Sequence, residues 1–211
     1  MSKGRGRDAR STICRLVRLL GDEGIAEKFH YDDEAIWSMT SFAIGYELCC
    51  DLHALPGITS FATITDTTAS VGGSTIPFAK YFQHVNAIEI HAGRKRMLDD
   101  NLTLCGIMNV NTILGDFSRV LPSLAQDVIF IDPPWGVDYK KYSPGTMRII
   151  MNGIVFERII DELLPGAKYI AVKLPNSYDF DYFRANVAGD IIMSRTYRAP
   201  VSCTMIILRP A

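Results

Sequence analysis

Four apolar runs in this 211-residue chain end on residues able to do chemistry. In "ITDTTASVGGSTI" Asp66 closes the run, and Gly72 and Gly73 follow, where backbone without a Cβ can approach a ligand closely. In "AIEIH" the closing residue is Glu89, a carboxylate suited to a ribose diol. In "VNTILGDF" the run gives way to Asp116 and Phe117, an acceptor and a ring face suited to an adenine. The fourth, "DVIFIDPPW", ends on Asp132, Pro133, Pro134 and Trp135. Two prolines fix the backbone and offer no N–H, so a guest there meets carbonyls, a carboxylate and an aromatic plate. In this order and spacing the four ends make a nucleoside-cofactor pocket beside a substrate slot. Neither a G-x-G-x-x-G dinucleotide fingerprint nor a Gly-Lys-Ser/Thr phosphate loop accompanies Gly73.

The elements that must position these residues follow from periodicity. "FATITDT", "VNAIEIH", "VNTILGDF", "DVIFID" and "KYIAVKLP" read as strands, β-branched and bounded by turn residues. Between them "TIPFAKYFQ", "AGRKRMLDDNLTLCG" and "SRVLPSL" read as helical, as does "TMRIIMNGIVFERIIDELLPG" over residues 146–166. Ahead of them "STICRLVRLL" and "SMTSFAIGYELCCDLHAL" are helical, the second capped by Ser38 or Thr40 and stopped by Pro56-Gly57. "DIIMSRTYR" and "VSCTMIILRP" read as a terminal hairpin. Strands alternating with helices imply an α/β, doubly wound, mostly parallel sheet with an antiparallel hairpin at its end and N-terminal helices packed against it. In such sheets ligands gather at the carboxyl ends of the strands.

Three segments result: a basic arm at 1–12, an N-terminal helical extension at 13–57 and a catalytic domain at 58–211. The formal charge of −1 gives no global field toward nucleic acid, but Lys3, Arg5, Arg7 and Arg10 make the arm basic, a solvated tail or an RNA-phosphate contact. Five cysteines without C-x-x-C spacing fit reduced thiols, and His30, His53, His84 and His91 lack ligand spacing, so no metal is implied. No apolar run approaches the ~20 residues that cross a bilayer. The expectation is an intracellular protein of nucleus or cytoplasm, not a membrane protein, with a monomer favoured.

Residues 64–89 and 113–142 resemble the S-adenosylmethionine-dependent methyltransferases, and most closely the trimethylguanosine synthases, which read much like "TDTTASVGGSTIPFA", "AIEIH", "GDFSRVL" and "DVIFIDPPWGVDY". "SMTSFAIGYELCCDL" is similar to the segment ahead of their Rossmann-like fold, and "KLPNSYDF" echoes a Leu-Pro-x-Asn stretch. The resemblance implies S-adenosylmethionine as cofactor and capped RNA as partner, with methyl transfer to the 2-amino group of a 7-methylguanosine cap. It places Asp66, Gly72 and Gly73 at the methionine end, Glu89 on the ribose, and Asp116 and Phe117 on the adenine, with Ser38 and Thr40 closing over from the N-terminal helices. Ser70 stands where the motif usually has a glycine, Asp132 where these synthases carry serine, and Val137 where a second glycine follows the tryptophan.

That aspartate is the usual residue in methylases of adenine or cytosine amino groups, so an adenine-directed enzyme is the alternative; an inactive methyltransferase-like binding subunit is a second. Asp132 and the Pro133 carbonyl accept amino protons while Asp132 is ionised. Trp135 is the sharper sign, because tryptophan is the best plate for a cationic base such as 7-methylguanine. Trp37 is either a second plate or a helix-packing aromatic. Lys140, Lys141 and Lys173 lie near the proposed slot and could meet cap phosphates, but any single one reads as an ordinary exposed lysine.

Overall fold

The computed structural model describes residues 12–14, 23–136, 138–198 and 202–211. Most of the basic arm, and the stretch at 15–22 of the first expected helix, lie outside these residues. The chain forms two compact units, one running to Leu124 and one from Ala125.

In the first unit α1 (Glu23–Lys28), α2 (Ala35–Ser38) and α3 (Phe42–His53) precede β1 (Thr63–Asp66), α4 (Thr75–Tyr81), β2 (His84–Glu89), α5 (Ala92–Leu104), β3 (Val110–Leu114) and α6 (Phe117–Val120). Its strands are parallel in the order β3-β2-β1, with Asp66 beside Ala87 and Glu89 beside Leu114. The N-terminal helices are part of this unit's core. Ile13, Phe29, Ile36, Met39 and Phe42 pack in one buried cluster with Val71, Ile76, Ala87 and Leu98. Each of the larger side chains contributes ~1.5–3 kcal/mol by leaving water, which fixes the extension against the loop between β1 and α4. Gly45 lets α3 lie on α4, since a Cβ there would stand 2.7 Å from the Pro77 ring.

The second unit holds β4 (Val128–Ile131), the short pair β5 (Ile150–Met151) and β6 (Ile154–Val155), α7 (Phe156–Leu163), β7 (Tyr169–Pro175), α8 (Phe180–Asn186), β8 (Asp190–Tyr197) and β9 (Cys203–Arg209). β4 runs parallel to β7, whose other edge pairs antiparallel with β9, and β9 with β8. Every residue of β4 and β7 is buried, as expected of strands covered on both faces. The α/β class, the parallel strands and the terminal antiparallel hairpin are therefore present as expected.

Two local expectations are corrected. Residues 146–166 do not form one helix: it begins at Phe156, after the β5–β6 hairpin. Asn152 and Gly153 turn that hairpin with φ of 52° and 80°, the two left-handed positions of a type I′ turn. The apolar spacing around them suits a helix, but Asn-Gly decides. The cap of α3 is also neither Ser38 nor Thr40. It is Ser41, whose Oγ accepts the Ile44 N–H at 3.4 Å.

Candidate active site

In the first unit the β1–α4 loop is shaped from beneath by Asp66. Its carboxylate is fully buried, accepting the Thr75 hydroxyl at 2.7 Å and the Thr68 N–H at 3.2 Å. Both ends of the loop are thus tied to the end of β1. Ser70 lies in the loop at φ 49°, a left-handed conformation uncommon for a residue with a Cβ. Glu89 holds it there: Oε2 accepts the Ser70 N–H at 2.8 Å, while Oε1 accepts the His91 N–H at 2.8 Å. The departure from glycine therefore leaves a glycine-like loop, with a hydroxyl added. That Ser70 Oγ is buried and has no hydrogen-bond partner.

Gly73 is where the extension meets the loop. A Cβ on it would stand 2.3 Å from Met39 Cγ and 2.6 Å from the Thr40 carbonyl oxygen, so only glycine fits. Thr40 is buried there. Ser38 is exposed, donating its hydroxyl to the Glu34 carbonyl at 3.0 Å. Trp37 belongs to α2, but its side chain lies outside what the structure describes. Asn101, fully buried on α5, clamps the same region by donating to the carbonyls of Val71 and His30, both at 2.9 Å, and accepting the His30 N–H at 2.7 Å. Arg94 adds ion pairs to Asp32 and Glu34, both at 2.7 Å.

At the end of β3 Asp116 caps α6, its Oδ1 accepting the Ser118 N–H at 2.9 Å and hydroxyl at 2.8 Å. Phe117 beside it is half-buried, and the Gly115 N–H donates to the Glu89 carbonyl at 3.0 Å. The structure therefore gathers Asp66, Ser70, Gly72, Gly73, Glu89, Asp116 and Phe117 at the ends of neighbouring parallel strands. These residues fit a nucleoside-bearing methyl donor. A carboxylate oxygen accepts more than one hydrogen bond, so Glu89 retains capacity for ribose hydroxyls, and the orphaned Ser70 hydroxyl supplies a further polar group beside it.

In the second unit Asp132 follows the last residue of β4, with Pro133 buried and Pro134 exposed. Its Oδ2 accepts from Lys173 Nζ at 2.5 Å, and the Lys173 side chain is 1 % exposed. The same ammonium lies over the Trp135 ring, 5.1 Å from its centroid. Tyr139 packs against that ring at 5.1 Å and 73°. The Trp135 indole N–H is buried without an acceptor. Cys203, opposite Pro175 in register, is pushed up to about 11 by burial; Lys173 opposes this and Asp132 reinforces it.

Lys173 is thus not the exposed lysine expected. One sign was available: a lone charge inside "YIAVKLP", a strand otherwise apolar, must be paired if both faces are covered. Lys141 is as expected, exposed and paired with Asp138 at 2.5 Å. Asn101 left no sign, because a polar residue in a charged helix reads as solvated.

The strand order, the loop after β1 and the acid ending β2 define a methyltransferase fold of the Rossmann-like class. Precorrin-6y C5,15-methyltransferase from Geobacter metallireducens shares it, covering 88% of this chain and 95% of that one at a TM-score of 0.62 and 14% identity, a likeness of fold alone. A family described as RNA cap guanine-N2 methyltransferase matches residues 61–202, and the chain belongs to that family. It is 34% identical over 125 residues to trimethylguanosine synthase of Schizosaccharomyces pombe, covering 55% of this chain and 51% of that protein. It is 40% identical over 126 residues to protein L320 of Acanthamoeba polyphaga mimivirus, covering 57% of this chain and 48% of that protein. The chain therefore spans about half the length of these curated relatives. Family and fold together imply S-adenosylmethionine as methyl donor. Among the described residues no helix is long and apolar enough to cross a membrane.

Proposed function

We propose that this chain methylates the exocyclic 2-amino nitrogen of a 7-methylguanosine RNA cap. The observation that carries the reading is Asp132 at the end of a buried strand, its carboxylate charge-paired and Trp135 three residues on. Membership of the cap guanine-N2 family and the partial identity with a trimethylguanosine synthase support it.

When bound, S-adenosylmethionine supplies an electrophilic methyl on a sulfonium. Glu89 and Ser70 are assigned to its ribose, Asp116 and Phe117 to its adenine, and the loop of Gly72 and Gly73 to its methionine end, with Thr40 behind Gly73. Asp66 acts through that loop, holding its two ends. On the acceptor side Asp132 and the Pro133 carbonyl accept hydrogen bonds from the amino group and fix its nitrogen for in-line attack. A nitrogen so held would present its lone pair to the methyl, and the donor would leave as the neutral thioether. The proton lost from nitrogen passes to the Asp132 carboxylate and then to water. Lys173 keeps Asp132 an acceptor, because an adjacent ammonium favours the ionised carboxylate. Trp135 supplies the stacking face for the guanine.

A second reading, transfer to an adenine amino group, is favoured by one observation: the ammonium of Lys173 over Trp135 supplies the plate with a cation of its own. An inactive binding subunit has less support, since Asp132, Pro133 and Trp135 are all present and Ser70 in the β1–α4 loop takes a left-handed φ held by Glu89. The test is methyl transfer to capped dinucleotide against adenine-containing oligonucleotide. Label in the capped guanosine supports the first reading; label in adenine replaces it with the second.

A further inference from the structure

We propose that Asn101 is a positioning residue for the methyl donor, tying the β1–α4 loop to the N-terminal extension so that donor affinity depends on how the extension is seated. The inference rests on the donor site proposed above and holds whichever amino group is methylated. Asn101 lies on α5 and is fully buried, yet its carboxamide bonds backbone from two other segments. Nδ2 donates to the carbonyls of His30 and Val71, both at 2.9 Å, while Oδ1 accepts the His30 N–H at 2.7 Å. One planar group thus holds both segments, and it cannot turn away from His30 without also leaving Val71.

Val71 stands between Ser70 and Gly72, whose φ of 49° and 107° are both left-handed. A residue with a Cβ, such as Ser70, keeps that conformation only where its surroundings hold it. Glu89 is one tether. It accepts the Ser70 N–H through one oxygen and the His91 N–H, just ahead of α5, through the other. Asn101, further along α5, holds the next residue of the loop. The same helix also grips the extension. Arg94, about two turns before Asn101 and so on the same side of α5, pairs with Asp32 and Glu34. Asp32 Oδ1 in turn accepts the Ala35 N–H at 2.8 Å, at the start of α2. That helix leads to Met39 and Thr40, which fill the space a Cβ on Gly73 would need. The extension therefore reaches the loop at Val71 through Asn101 and at Gly73 directly. Coupling of this kind is reciprocal: the factor by which a seated extension raises donor affinity is the factor by which bound donor holds the extension.

The experiment measures S-adenosylhomocysteine binding to the full chain by calorimetry, with amide hydrogen exchange alongside. Asn101→Asp keeps the acceptor for His30 but loses both donors, and is expected to weaken binding by about tenfold or more. Asn109→Ala is the matched control. The Asn109 carboxamide also donates to two carbonyls, those of Ala79 and Phe82 at 2.9 Å, but these lie ahead of β2, at the end of that strand away from the loop. Its loss is expected to lower the melting temperature and leave binding within about twofold of wild type. In the wild type, saturating S-adenosylhomocysteine is expected to slow exchange of the His30 amide about tenfold more than that of Gln83, which bonds the Ser60 carbonyl at that far end. A His30 amide that responds no more than Gln83 overturns the proposal, and that arm needs no variant to fold. A folded Asn101→Asp that binds as the wild type does, or an equal loss in Asn109→Ala, overturns it too. In either case wild-type binding leaves the donor site standing and removes only the role of Asn101. A wild type that binds no S-adenosylhomocysteine removes the donor site and this inference together.

Discussion

The Glu89 carboxylate accepts the backbone N–H of Ser70 at 2.8 Å, across the gap between the end of β2 and the loop after β1. The residue assigned to the ribose therefore also holds the loop around it. Glu89→Ala is expected to abolish S-adenosylmethionine binding and to cost ~1–3 kcal/mol of stability, from two N–H groups left without their acceptor. Glu89→Gln keeps one acceptor oxygen and is expected to lose affinity with less stability. Titration calorimetry and urea melts check both. Wild-type affinity in Glu89→Ala contradicts the assignment.

Gly73→Ala forces a methyl to within 2.6 Å of the Thr40 carbonyl oxygen, an atom that cannot move without shifting the segment of Met39 and Thr40. The expected result is at least tenfold weaker cofactor binding with a lowered melting temperature. Gly93→Ala is the control: it lies in α5 with nothing within 4 Å of the new methyl. That change is expected to leave binding intact and to stabilise by up to ~1 kcal/mol.

Asp132→Asn keeps the shape of the carboxylate and loses its charge. Turnover is expected to fall ~100-fold or more, the size seen when one electrostatic partner of a transition state is removed, while cofactor affinity holds. Asp132→Ala adds a cost of ~3–5 kcal/mol, because Lys173 is then a buried charge without this partner. Equal turnover in Asp132→Asn makes the residue a brace for Lys173 alone.

Cys203 yields a pH dependence. Burial, opposed by Lys173 and reinforced by Asp132, raises it from the ordinary 9.0 to about 11. The unfolded chain therefore loses this proton first, and stability is full below about 9 and declines as pH rises toward about 11. Cys49 and Tyr178 are also raised, chiefly by burial, and act in the same direction. Urea midpoints that stay level over this range contradict the burial of these groups. Cys203→Ala should flatten part of the slope.

The fold was legible because its strands are apolar runs closed by chemistry-bearing residues, a pattern that survives without knowledge of contacts. Positions at strand ends were legible for the same reason. Roles were less so. Asp66 and Glu89 read as ligand groups, yet each also spends its oxygens on the loop, and only geometry shows that a carboxylate is under a loop and not beside it. Ser70 read as a departure because φ is invisible in a one-letter code; Glu89 supplies the restraint that a glycine would not need. Lys173 read as surface because charge usually is. Its ammonium meets Asp132, a residue some forty positions earlier that follows β4, a relationship between distant segments that the one-letter code does not show. The Asn152-Gly153 turn was legible by the strongest short hairpin signal, but apolar spacing on both sides suggested a helix through it.

Position of the transferred methyl tests the central claim most directly. The full chain is incubated with S-adenosylmethionine carrying a labelled methyl, together with 7-methylguanosine-capped RNA that contains internal adenines. The RNA is digested to nucleosides and the labelled product identified by mass. The account predicts label in 2,7-dimethylguanosine or 2,2,7-trimethylguanosine from the cap, lost in Asp132→Asn. Label in N6-methyladenosine, with the cap guanosine unlabelled, contradicts it.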